Sequence, residues 1–174
     1  PGQKWLKRVV AEMGGKDSIV IDDQTDLDAA AQATVASAFG FQGQKCSAAS
    51  RAIVVDKVYD KFINLVKEKV DAIKVGPSDD PSNYMGPVVN RGSRDKIIAY
   101  VEKGLREGGR LVAGGGRVEG EGYYIQPTII ADVEPGATIS QEEIFGPVLA
   151  VIKAKDFDHA LEIANNTEYG LTGG

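Results

Sequence analysis

Apolar residues recur along the chain in two rhythms, short continuous runs and helical spacing, and the two alternate. VVAEMGG (9–15) and SIVID (18–22) are short apolar runs around Gly14 and Gly15, and they predict two strands. Leu27, Ala31, Val35 and Ala38 or Phe39 then fall on one helical face. Thr25 with Asp28 three residues later makes a capping-box-like start, and Gly40 predicts the stop. Residues 52–55 predict a short buried strand. Asp56 predicts the cap of a helix carrying Val58, Phe62, Leu65, Val66, Val70 and Ile73.

GPSDDPSNYMGP has the proline, glycine, serine and aspartate density of a loop. Asn90 then opens a helix through Ile97, Ile98, Val101 and Leu105, ended by Gly108 and Gly109. RLVAGGG, YYIQPTII and PVLAVIK predict further strands, and Asp156 a cap for a last helix through Phe157, Leu161 and Ala164. Strands alternating with helices, without a repeat of fixed period, predict an α/β fold: a largely parallel sheet flanked by helices on both faces.

Composition narrows the function classes. The 174 residues suffice for one domain with a real core or for a piece of a larger protein. The opening Pro1 and the glycine-rich close EYGLTGG, with no element after it, favour the piece. Twenty basic against 25 acidic residues are dispersed without basic clusters, so no nucleic-acid footprint is expected. The longest uncharged stretch, 29–44, is broken by glutamines, Ser37 and glycines, so no membrane span is expected; nor does a leader peptide open the chain. One cysteine and one histidine speak against a disulfide framework and a zinc site, and fit a reducing, cytoplasmic setting.

The single cysteine, Cys46, lies in FGFQGQKCSAASRAIVV. A free cysteine is often a small buried hydrophobe. Here Lys45 favours a thiolate, Gly43 permits close approach of a ligand, and the predicted loop can expose the sulfur. A catalytic thiol needs a base. His159, on a predicted helix more than 100 residues away, supports a Cys/His dyad poorly. Glu12, at the end of an apolar strand-like run, is the alternative. Partial desolvation there would raise its pKa into a useful range, although a salt bridge at the core edge explains such a glutamate equally well.

GGK at 14–16 lacks the earlier glycine and the following Ser or Thr of a phosphate loop, and GGG at 114–116 reads as a turn. In SQEEIFGPV (140–148), Glu143 stands two residues before Phe145. A carboxylate beside an aromatic face suits a sugar diol and a flat ring, whereas the plainer reading is a capped turn with Phe145 plugging the core.

Taken together, AEMGGK, GQKCSAASR and EEIFGPV resemble, in order and spacing, the glutamate, cysteine and nicotinamide-ribose motifs of the aldehyde dehydrogenase superfamily. GYYIQPTII and NNTEYGLTGG are similar to stretches of the same family, so the resemblance covers nearly the whole chain. GFQGQKCSAASR is most similar to members that oxidise L-glutamate γ-semialdehyde in proline and arginine catabolism.

The resemblance implies that residues 1–174 are a catalytic-domain fragment, with the NAD-binding domain and a C-terminal segment lying outside it. It implies Cys46 as nucleophile and Glu12 as the base that activates water. It also implies Glu143 and Phe145 as cofactor-binding residues, NAD as cofactor, and Lys45 and Ser47 as contacts to a substrate carboxylate. The Cys46 backbone N–H and an asparagine outside the chain would hold the oxyanion. A homo-oligomer is expected of the full-length enzyme. Other aldehydes as substrates, a redox-independent cysteine acyltransferase or thioesterase, and a non-catalytic α/β domain with Cys46 buried remain open.

Overall fold

Strands β2 (Arg51–Val55) and β5 (Val148–Ala154) are apolar at nearly every position, as strands covered on both faces must be. They form the middle of a five-stranded sheet in a computed structural model that describes residue 2 and residues 4–174. The order is β1 (Ser18–Ile21), β2, β5, β4 (Thr128–Ala131), β3 (Arg110–Ala113). The first four strands run parallel, and β3 closes the edge antiparallel to β4 with a register shift between Leu111 and Ala113. Beyond β1, Gly174 N–H donates to Ser18 O at 3.0 Å and Val20 N–H to Gly174 O at 2.8 Å.

The two-residue period sorts the strands' side chains into two cores. Ala52, Val54, Ile129, Ala131, Leu149 and Val151 pack with α1 (Leu27–Phe39) and α2 (Tyr59–Asp71). Ile53, Ile130, Ala150 and Ile152 pack on the other face with α3 (Arg91–Arg106), the short α4 (Thr138–Gln141) and α5 (Phe157–Asn165). The α/β class with a mostly parallel, doubly covered sheet is therefore as expected. No helix is long and apolar enough to cross a membrane among the described residues.

Several local expectations shift. Asp26, not Thr25, caps α1, its carboxylate accepting from Asp28 N–H and Ala29 N–H. Asp56 does not cap α2: a short 3-10 turn over Asp56–Val58 intervenes, and Asp56 pairs with Lys153 at 3.0 Å. Asn90 and Asp156 do cap α3 and α5, accepting from Ser93 N–H and His159 N–H. In α5 the buried face is Ala160 and Ile163, leaving Phe157 and Leu161 half exposed, because the Asp156 cap fixes the helical phase.

VVAEMGG forms no strand. β1 begins only at Ser18 and its edges are taken by β2 and by Gly173–Gly174, so residues 9–13 have no neighbouring strand among the described residues. Val9 and Val10 stand 82% and 89% exposed.

Arg51 opens β2 yet is only 1% exposed. Its Nε donates to Lys16 O at 3.0 Å, Nη1 to Ile163 O at 3.1 Å and Nη2 to Ala164 O at 3.0 Å. It thus binds the last carbonyls of α5, where a cation is favoured, and ties Lys16 to the sheet. Arg51→Met is expected to destabilise the fold by about 3–5 kcal/mol, since two buried acceptors and one partly buried one lose their donor at once. Chemical denaturation reads this, and a loss below about 1 kcal/mol would refute it.

Candidate active site

The turn that carries Cys46 is built by backbone geometry rare for side-chain-bearing residues. After α1, Phe41 and Gln42 adopt left-handed conformations (φ 55° and 57°), followed by Gly43 at φ 65°. The chain emerges with Lys45, Cys46 and Ser47 all exposed and the thiol free. A Cys46 buried within this chain, as the non-catalytic reading required, is thereby excluded.

Side chains staple the turn in place. Gln44 Oε1 accepts from Val89 N–H at 3.0 Å, and the Gln42 amide, oriented to satisfy both its groups, accepts from Gly86 N–H at 2.8 Å. Ser37 of α1 anchors the far side, its hydroxyl accepting from Ala49 N–H at 3.1 Å.

Two glycines then bring the three motifs together. A Cβ on Gly43 would lie 2.4 Å from Gly146 O and 2.8 Å from Ala38 O, so the close approach of the cysteine turn to the EEIFGPV stretch requires glycine. A Cβ on Gly15 would lie 2.4 Å from Cys46 O. Gly15 N–H also donates to Glu143 Oε1 at 2.9 Å. The neighbouring Gly14 sits under Glu143 and Tyr169, where a Cβ would lie 3.1 Å from Glu143 Oε2 and 3.0 Å from the Tyr169 ring. Gly15 is therefore the point where the glutamate, cysteine and EEIFGPV stretches meet. The sequence offered no sign of this role beyond the glycine pair itself.

Glu143 is half-buried, and its Oε2 accepts no hydrogen bond among the described residues. The core plug of this stretch is Ile144, 2% exposed. Phe145 is turned outward at φ 58° and is 41% exposed, contrary to the plainer reading of it as the plug. A carboxylate with a spare acceptor and a presented ring suit a diol and a flat heterocycle. The Cys46 N–H donates to nothing among the described residues.

Glu12 lies three residues before Gly15 and is exposed, so the expected desolvation by an apolar strand is absent. The reason is the missing strand partner described above. Lys45 forms no ion pair among the described residues. Its ammonium lies over Gly40 near Tyr84: a Cβ on Gly40 would stand 3.7 Å from Lys45 Nζ and 3.9 Å from Tyr84 Oη. His159 plays a local part, Nδ1 accepting from Lys155 N–H at 3.1 Å.

Beneath the site, charge is buried. Lys16 is 1% exposed and its Nζ has no hydrogen-bond partner. Burial, and next the Arg51 charge, push its pKa down to about 7 against the opposing pull of Glu143, Glu142 and Asp17. Burial raises the Asp17 carboxyl, partly offset by the hydrogen bond from Thr172 N–H. Lys16, Asp17 and Arg51 line a cavity of about 520 Å³ with Asn165, Thr167 and Tyr169. The signal for these residues was faint: charged side chains flanking strands that are otherwise apolar.

Comparisons with known proteins find relatives over nearly the whole chain. The sequence model of the aldehyde dehydrogenase family matches residues 2–174. The chain is 62% identical over 173 residues to a 1-pyrroline-5-carboxylate dehydrogenase of Geobacillus sp. (strain WCH70), covering 99% of this chain and 33% of that protein. A relative of the same name from Bacillus subtilis is 57% identical over the same span. Among solved structures, a 1-pyrroline-5-carboxylate dehydrogenase from Thermus with bound NAD superposes at a TM-score of 0.91 with 52% identity, again over 99% of this chain and 33% of that one. The chain thus spans about a third of the length of the relatives it matches.

Proposed function

Because the chain belongs to the aldehyde dehydrogenase family, we propose that it supplies the nucleophile, the base and part of the cofactor and substrate contacts of an enzyme that oxidises L-glutamate γ-semialdehyde to L-glutamate with NAD. The carrying observation is the convergence at Gly15 and Gly43, which brings the backbone of the turn that bears the exposed thiol against both the glutamate-bearing segment and the stretch that carries Glu143. Greater identity to 1-pyrroline-5-carboxylate dehydrogenases than to the aldehyde dehydrogenase from Mycobacterium tuberculosis, 43%, favours this substrate over other aldehydes.

The chemistry follows from the residues. The Cys46 thiolate attacks the aldehyde carbon, and the oxygen that becomes negative receives the free Cys46 N–H. When bound, NAD would supply the acceptor for the hydride of this carbon, and Cys46 would then carry the acyl group as a thioester. Glu12 takes a proton from water, the hydroxide attacks the thioester carbon, and the carbon–sulfur bond breaks to give L-glutamate and the thiol. Glu143 would hold the ribose hydroxyls of NAD, and Phe145 would brace its nicotinamide end. Lys45 and Ser47, exposed on either side of the thiol, would engage the substrate carboxylate, a cation and a hydroxyl donor both suiting an anion.

On this reading residues 1–174 are the catalytic part, the rest of the NAD site belongs to portions of the enzyme outside the chain, and the enzyme acts in the cytoplasm as a homo-oligomer. The full-length enzyme is expected to reduce NAD with L-glutamate γ-semialdehyde at a kcat/KM at least about tenfold above that for an aldehyde of equal length lacking the carboxylate. The 174-residue chain alone is expected to produce no NADH. Equal use of both aldehydes would refute the substrate assignment, and turnover by the isolated chain would refute the division of labour.

A further inference from the structure

Glu143 has a second attachment besides the one the proposed function gives it. One oxygen accepts from the N–H of Gly15, 128 residues away in sequence, while the other remains uncommitted. Gly15 is buried, so its amide has no water to turn to if the carboxylate is removed. The same residue presses on the Cys46 carbonyl, and three residues before it stands Glu12. Among the described residues the segment from 9 to 13 pairs with no strand, and the attachments nearest Glu12 are those at Gly14 to Lys16. Lys16, the next residue, buries an amine whose charged form Glu143 favours.

We propose that Glu143, through the Gly15 N–H, is a positioning residue for the Glu12 segment, so that one carboxylate couples cofactor binding to placement of the water-activating base. The proposal rests on the function assigned above. The coupling should operate without cofactor, because the Gly15 N–H reaches Glu143 through the chain's own atoms. A residue that served the ribose alone would matter only when NAD is present.

Cofactor-free hydrolysis of 4-nitrophenyl acetate by the full-length enzyme separates the two. The Cys46 thiolate takes the acetyl group and releases 4-nitrophenolate as a burst; water, deprotonated by Glu12, then cleaves the thioester to acetate and thiol. In Glu143→Ala the burst should persist while NAD-free deacylation slows about 10- to 100-fold, as in a Glu12→Gln control. Glu143→Gln keeps an oxygen acceptor for Gly15. Its NAD-free deacylation should stand at least about fivefold above that of Glu143→Ala, while its KM for NAD is raised at least about tenfold.

Unchanged NAD-free deacylation in Glu143→Ala overturns the proposal. So does a glutamine variant in which deacylation without NAD is lost while KM for NAD is unchanged, a measurement that stands if the alanine variant does not fold. A wild-type enzyme with no burst, or a burst that survives Cys46→Ala, would overturn the assigned function as well, which marks that failure off from failure of the coupling alone.

Discussion

Cys46→Ala in the full-length enzyme is expected to lower kcat/KM for aldehyde oxidation by at least about four orders of magnitude, since no other thiol lies in the chain to replace it. Cys46→Ser should fall nearly as far, because a hydroxyl is a far weaker nucleophile at neutral pH. Stability should change by no more than about 0.5 kcal/mol, as the side chain is exposed and leaves no cavity behind. Steady-state kinetics and thermal unfolding measured on one preparation test both halves of this expectation. Activity within tenfold of the wild type would remove Cys46 from the reaction, while a large drop in melting temperature would mean that the thiol supports the fold.

Gly15→Ala should be the most damaging substitution that alters no reacting group. Its Cβ would meet Cys46 O at 2.4 Å and Asp17 Oδ2 at 2.6 Å. The first of these is backbone and cannot swing aside, so either the cysteine turn or the glutamate segment must move. Displacements of about 1 Å in a catalytic arrangement cost on the order of 100-fold in rate. The expected result is a kcat reduced by that factor or more, with the far-ultraviolet circular dichroism spectrum preserved because both cores lie away from this junction. A variant with wild-type kcat would show that the contact has slack and that the three stretches are not fixed against one another at this residue.

Most of the sheet was legible because its strands are short apolar runs, and runs buried on both faces carry that pattern wherever they stand in the sheet. Val148–Ala154 is such a case. Residues 9–13 have the same pattern and no strand, because an apolar run specifies a strand only where a partner lies alongside. The caps of α3 and α5 were legible outright and that of α1 to within a residue, whereas Asp56 was not the cap of α2 because a 3-10 turn intervenes. Asp26 displaced Thr25 because its carboxylate reaches the N–H groups of Asp28 and Ala29.

At the candidate site, glutamate, cysteine and aromatic residues could be singled out by type, but not the glycines that allow them to meet. What makes Gly15 and Gly43 necessary is a carbonyl oxygen from a distant part of the chain. Arg51 was hidden for the same reason: its acceptors, Lys16, Ile163 and Ala164, are up to 113 residues away.

The sheet order carries a consequence for how the chain acquires this arrangement during synthesis. β5 lies between β2 and β4 yet is the last of these five strands to leave the ribosome. Until it emerges, β2 and β4 each present an open edge, the kind of surface that pairs with other chains. The bonds from Gly15 to Glu143 and from Asp17 to Thr172, 128 and 155 residues apart, must also wait for this stretch. Cys46 is translated before Glu143 and β5, so a nascent chain stalled before residue 148 exposes a thiol without its full site and two unpaired strand edges. Protection by chaperones matters most in that interval, and a slow codon placed before β5 should reduce the yield of soluble protein more than one placed after it.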